Sequence, residues 1–348
     1  MRLRSKLMRG RLSELCRHFD WMNGTGQHPD ETASNLAWKL VAWLIAVWAA
    51  QWPASREVAC TAFVALYTTW VLRHNGTLLL GEWKRPLVRP PLDVDFEPGV
   101  VPFVVLAYQR TGSNMLIRNH LNKHPQVHMH FELFNEKAIY TQSKPGEVKE
   151  GAIKDVAALR ARDQNSAAFL AKTIREGAAV ADCAAVGFKW FPEHVRGTAF
   201  LERLLANVRI RKVVLRRENR LACVTSIIRA SVTGRWINAV LTHCVYITPP
   251  DFQLFTECYD AYYSFLRDRL AGQDHVELTY ESLVAEPELA LRPVYELLQL
   301  RPQKSAPVLD GDLKPQSSDA LCDALDNFGE LRAAFATTDR ASDFETAI

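Results

Sequence analysis

The chain has 348 residues, 48% hydrophobic and 23% charged, which supplies one good-sized core with accessory pieces and excludes disorder for most of its length. Sixteen glycines and 17 prolines exclude collagen-like and low-complexity architectures. A net charge of +3, from 42 basic and 39 acidic groups, gives no argument for a nucleic-acid partner and leaves room for a local anion site.

The seven cysteines (Cys16, Cys60, Cys183, Cys223, Cys244, Cys258, Cys322) are scattered, with no CxxC pair and no Cys/His cluster of zinc spacing. They read as free thiols, and no metal is implied.

Residues 1–17 carry six basic side chains and one acid, Glu14, with no apolar run directly after them, which argues against a secretory signal. Two uncharged stretches follow, residues 40–55 and 58–72. Trp38, Trp43, Trp48, Trp52 and Trp70 crowd them, as suits the headgroup level of a bilayer. The expectation is a hydrophobic helical hairpin, turning at Pro53–Arg56, that associates with a membrane through residues 36–72. Two helices packed on the main domain remain the alternative. Basic flanks on both sides put both ends of an inserted hairpin in the cytoplasm. Insertion of the first segment alone gives the topology of a Golgi type II membrane protein. The proline-rich stretch Pro86–Pro102 reads as a linker, dividing the chain into an N-terminal region, 1–95, and a main domain, 96–348.

Val101–Tyr108 is a continuous apolar, β-branched run, the mark of a buried parallel strand. Gln109-Arg-Thr-Gly-Ser-Asn114 follows, and then a helical stretch, Met115–Lys123, stopped before Pro125. Gly112 permits a tight turn, successive N–H groups face an anion, and Arg110, Thr111 and Ser113 add donors. A nucleotide-hydrolase loop needs GxxxxGK[ST], which is absent, so a kinase or hydrolase is disfavoured.

Glu132 lies beyond the next strand, where a carboxyl raised toward neutrality by burial could remove a proton. His124, His128 and His130 compete for that role. Lys189, at the end of the apolar VGFKW, could reach the same crevice. Lys212–Leu215 is a further apolar strand, ending in Arg216-Arg217, and the following helix brings Thr225 and Ser226 for a second anion. Residues 140–185 and 231–265 are read as acceptor-side loops, although the aromatics of 246–270 also fit a helical core stripe. His275–Tyr280 is strand-like, and Pro287–Leu300 a helix with Leu289, Leu291, Val294, Leu297 and Leu298 for the core. The alternation calls for an α/β fold whose parallel sheet is covered on both faces and binds ligands at the carboxyl ends of its strands.

AYQRTGSNMLIRNHLNKHP (107–125), FELFN (131–135), VGFKW (186–190), LRRENRLACVTSIIRASVTGRW (215–236) and HVELTYESL (275–283) occur in one order. Together they resemble the bacterial sulfotransferase family that includes trehalose and nodulation-factor sulfotransferases. The resemblance spans most of residues 100–335 and implies a three-layer, P-loop NTPase-like fold. It implies the donor 3'-phosphoadenosine 5'-phosphosulfate, no metal, and a carbohydrate or glycolipid acceptor, with a homodimer compatible. Arg110, Thr111, Gly112, Ser113 and Asn114 are then expected around the 5'-phosphosulfate. Arg217 and Ser226 are expected on the 3'-phosphate, with Arg216 as alternative. Thr233-Gly-Arg235 would close over donor or acceptor, Lys314 would come back onto the donor, and Glu132 would act as base. The alternative is a membrane-anchored protein that binds the donor without turnover.

Overall fold

The computed structural model describes residues 90–142, 150–181, 183–194, 199–233, 236, 244–302 and 321–345. The hydrophobic segments at 36–72, Gly234-Arg235 and Lys314 lie outside these residues. No helix among the described residues is long and apolar enough to cross a membrane.

Strand β1 (Val101–Ala107) leads through the 108–112 loop into a short helical element, α1. It begins as Ser113–Met115, widens to a π-turn over Leu116–His120 and tightens to a 3₁₀ turn over Leu121–Lys123. Next come β2 (Val127–Met129) and an antiparallel hairpin of β3 (Ile139–Gln142) and β4 (Glu150–Ile153). Helices α2 (Val156–Gln164) and α3 (Ser166–Ala181) precede β5 (Ala185–Trp190). Then follow α4 (Ala199–Ala206), β6 (Arg211–Arg216), α5 (Arg220–Thr233) and α6 (Pro249–Leu270). Strand β7 (His275–Thr279), α7 (Tyr280–Ala285) and α8 (Pro287–Leu297) complete the sheet region, and α9 (Leu321–Ala324) and α10 (Phe328–Phe335) follow.

Five strands form one parallel sheet in the order β2-β5-β1-β6-β7. Its strands are apolar on both faces because helices cover both. Val104 and Leu106 of β1 enter one core layer with Trp190, Leu170 and α5–α6 side chains. Phe103, Val105 and Ala107 enter the other, with Leu116, Leu121, Leu291 and Val294. Phe103 lies beside Gly187 in the β1–β5 register, and a Cβ at Gly187 would sit 2.5 Å from the Phe103 ring. Only glycine lets that ring cross the neighbouring strand.

Several expectations are corrected. Helices α2, α3 and α6 occupy much of what was read as acceptor-side loop. The α6 helix is set by Pro249 in its first turn and by Thr248, whose side chain accepts from Asp251 N. Its aromatics Phe252, Phe255, Tyr259 and Tyr262 are core side chains. Leu289, assigned to the core, is exposed because it falls on the outer side of α8, opposite Leu291 and Val294. The residues before β1 belong to the domain: Leu92, Val94 and Phe96 are buried, Leu92 N donates to Arg203 O at 2.8 Å, and Asn207 Nδ2 donates to Leu92 O at 2.7 Å.

Candidate active site

All five parallel strands end on one edge of the sheet. The loop after β1 is held in two left-handed residues, Gly112 at φ 88° and Arg110 at φ 62°. The first suits glycine, and a Cβ there would in addition meet the Tyr280 ring at 2.5 Å. The second is a sparsely populated state for a side-chain-bearing residue, maintained by its contacts. Arg110 Nε donates to Ser226 Oγ at 2.9 Å and Nη1 to the Trp236 carbonyl at 2.6 Å. Thr111 Oγ1 donates to Tyr108 O at 2.8 Å, and Leu116 N to Gly112 O at 3.0 Å, so the loop runs directly into the helix.

The second cationic element meets the first. Arg217 is buried beyond β6, its Nη1 reaches Arg110 O at 3.5 Å, and its guanidinium lies 4.4 Å over the Tyr280 ring. Its Nε is enclosed without a partner. Arg216 points outward, 3.9 Å from Glu218, so of the double arginine it is Arg217 that faces the loop. Burial, with the Arg217 charge adding to it, brings Arg110 down to about 10, still cationic at neutral pH. Among the described residues no carboxylate pairs with either guanidinium. A buried and a partly buried cation, with no carboxylate partner among the described residues, make a candidate anion site.

Glu132 follows β2 and faces the same crevice. Its Oε1 lies 2.9 Å from Lys189 Nζ. Its Oε2 accepts from Asn135 Nδ2 at 2.7 Å and lies 3.3 Å from His194 Nε2. Phe191 N donates to His194 Nδ1 at 3.2 Å, which places the ring proton on Nε2, toward the carboxylate. Lys189 also donates to Asn114 Oδ1 at 2.5 Å, so one ammonium joins the carboxylate to the anion loop. The expected raising of Glu132 is reversed. Burial does push it up, but the Lys189 charge and the His194 hydrogen bond outweigh it and hold the carboxyl well below its ordinary range.

The competing histidines stand elsewhere. His128 and His130 are buried with ring centroids 4.6 Å apart, beside Gly177 of α3, and burial first and then His128 lower His130 to about 3. His124 caps α1 and lies tilted against Tyr295, ring centroids 5.1 Å apart.

Residues absent from the sequence reading of the site include Asn135, His194 and Tyr280, and Tyr259 and Tyr263, read there as an acceptor wall or a core stripe, take another part. Tyr259 Oη accepts from Arg217 N and donates to Arg217 O, both at 2.8 Å. Tyr263 Oη accepts from Tyr108 N at 3.1 Å and donates to Leu215 O at 2.7 Å. The α6 tyrosines thus brace the ends of β1 and β6. Their four-residue spacing marks one helix face, but nothing in it distinguishes a brace from core.

Nodulation protein H of Rhizobium tropici is 25% identical over 253 residues, 71% of this chain and 94% of its own length. A crystal structure of a sulfotransferase from Mycobacterium avium aligns over 93% of this chain and 94% of its own, with TM-score 0.37 and 14% identity. The sulfotransferase family model matches residues 102–304, more than half of the sequence, from within β1 to beyond α8, and the chain therefore belongs to the sulfotransferase family.

Proposed function

We propose that the protein moves the sulfuryl group of 3'-phosphoadenosine 5'-phosphosulfate to a hydroxyl of a carbohydrate or glycolipid acceptor. The 108–114 loop holds the 5'-phosphosulfate, and Arg217, with Arg110 and Ser226 beside it, holds the 3'-phosphate. Sulfuryl transfer asks mainly for alignment and for neutralisation of charge on the bridging oxygen, which fixed donors provide without reorganisation. The acceptor oxygen forms its bond to sulfur, the bond from sulfur to the bridging phosphate oxygen breaks, and 3'-phosphoadenosine 5'-phosphate leaves. Glu132 takes the acceptor's proton, and Lys189 balances the charge that gathers at the bridging oxygen.

The observation that carries this reading is the shared ammonium: Lys189 contacts Asn114 of the anion loop and Glu132 at once. Acceptor class rests on the family, with nodulation protein H among its relatives. Placement at a membrane rests on the composition of residues 36–72, and a cytoplasmic catalytic domain on the basic residues that flank them on both sides. The test is incubation with radiolabelled donor and a membrane lipid extract, with the labelled product identified. Glu132→Gln is expected to lower turnover by about 10²- to 10⁴-fold while donor affinity stays within a few fold. Retained turnover removes Glu132 from the role of base.

A further inference from the structure

A second carboxyl stands in the site. Glu193 follows β5 one residue before His194, and its Oε1 accepts a hydrogen bond from Gln109 Nε2, the side chain next to Arg110 in the anion loop. The Gln109 carbonyl in turn accepts from the Cys223 thiol at 3.1 Å. Glu193 as a residue is half-buried, yet its Oε2 is enclosed and has no partner. The same holds for Gln109 Oε1.

The two orphans are the remaining atoms of groups already joined on their other side. An ionised Glu193 leaves both oxygens as acceptors without a donor and adds an enclosed charge, a costly arrangement. A proton on Oε2, with that oxygen turned to Gln109 Oε1, would give the amide oxygen its donor and close a two-bond acid–amide pair.

We propose that Glu193 is a proton-bearing positioning residue: in its neutral form it locks Gln109, and with it the anion loop, against the segment that carries His194. Donor binding is then linked to the proton on Glu193. The inference rests on the donor reading given above.

The surroundings agree. Burial pushes Glu193 up to about 7, with the Glu132 charge adding to it and His194, the Gln109 bond and its own backbone N–H working against it. The titratable groups that face it are Glu132 beyond β2, His194 on its own segment, Tyr108 at the end of β1 and Tyr262 on α6. An anionic donor in the loop favours the neutral acid further, so binding takes up a proton and affinity falls as pH rises through and above about 7.

The experiment is calorimetric titration of the full-length protein with 3'-phosphoadenosine 5'-phosphate from about pH 6 to about pH 8.5, in buffers of different ionisation heat. Wild type is expected to lose up to about tenfold in affinity per pH unit above about pH 7, with net proton uptake. Glu193→Gln keeps both bonds, because an amide offers Gln109 one donor and one acceptor, but it cannot titrate. It should retain only the pH dependence that belongs to the nucleotide. Equal slopes and equal proton uptake in both proteins overturn the proposal. Absence of binding by the wild type at every pH overturns the donor reading instead, and this inference with it. If Glu193→Gln fails to fold, Gln109→Ala takes its place. It is expected to bind about tenfold more weakly near pH 6 and to show a flatter profile than wild type, and an unchanged affinity overturns the pair.

Discussion

A buried carboxyl without partners resists ionisation, but Glu132 has three partners: Lys189 at 2.9 Å, Asn135 at 2.7 Å and His194 at 3.3 Å. The sign of its pH behaviour follows. Its carboxyl is depressed, so the cluster's contribution is complete above the ordinary value of 4.5 and is lost only as pH falls below it. Even with the carboxyl returned to its ordinary value of 4.5 by a bound donor, kcat at saturating donor is expected to stay level from about pH 8 to about pH 5.5. A tenfold loss per unit below about pH 6.5 would return proton removal to a histidine. The loop and its arginines were legible in the sequence because an apolar strand, a glycine turn and a helix start are local signals. The lowered carboxyl was not, because Lys189 and Glu132 are 57 positions apart and their meeting depends on β2 pairing with β5.

The helix α2 acts on the site through one side chain. Arg162, its side chain 1% exposed, donates through Nη1 to the carbonyls of Leu133 at 3.1 Å and Asn135 at 2.7 Å, the residues that follow Glu132. Loss of the guanidinium leaves those carbonyls short of donors and frees Asn135, which itself bonds Glu132. Arg162→Ala is expected to cost about 3 kcal/mol in urea unfolding and to lower kcat at least about tenfold with donor affinity preserved. Unchanged kcat would show that the loop holds itself. Neither the hairpin nor α2 and α3 was read from the sequence: β3 and β4 are four residues each, and Ala-rich α3 carries its helical signal in propensity more than in an apolar stripe. At the same scale, Gly112→Ala must displace Tyr280 and strain a φ of 88°, and a loss of about 100-fold in donor affinity is expected by calorimetry.

Over the molecule as a whole, the five-stranded sheet was foreseeable because strands buried on both faces must be apolar throughout, as VPFVVLA is. The start of the domain was harder to place. The segment 92–96 alternates Leu92, Val94 and Phe96 with Asp93 and Asp95, so a buried edge hides within a stretch whose prolines suggest a linker. Phe96→Ala in the full chain is expected to lower unfolding free energy by about 3 kcal/mol. A change within about 0.5 kcal/mol would mean that the segment merely rests on the surface.

On the proposed reading, a single cation shared between Glu132 and the anion loop ties proton removal to donor occupancy. While Lys189 answers to Glu132 alone, the carboxylate is a feeble proton acceptor. If the donor binds as proposed, its sulfonate competes for that ammonium and the same oxygen regains basicity, so an acceptor that arrives early finds nothing able to activate it. Steady-state kinetics should accordingly be compulsory-ordered with the nucleotide leading: the desulfated nucleotide competing with the donor and acting noncompetitively toward the acceptor. A random-order pattern would detach the ammonium from that duty.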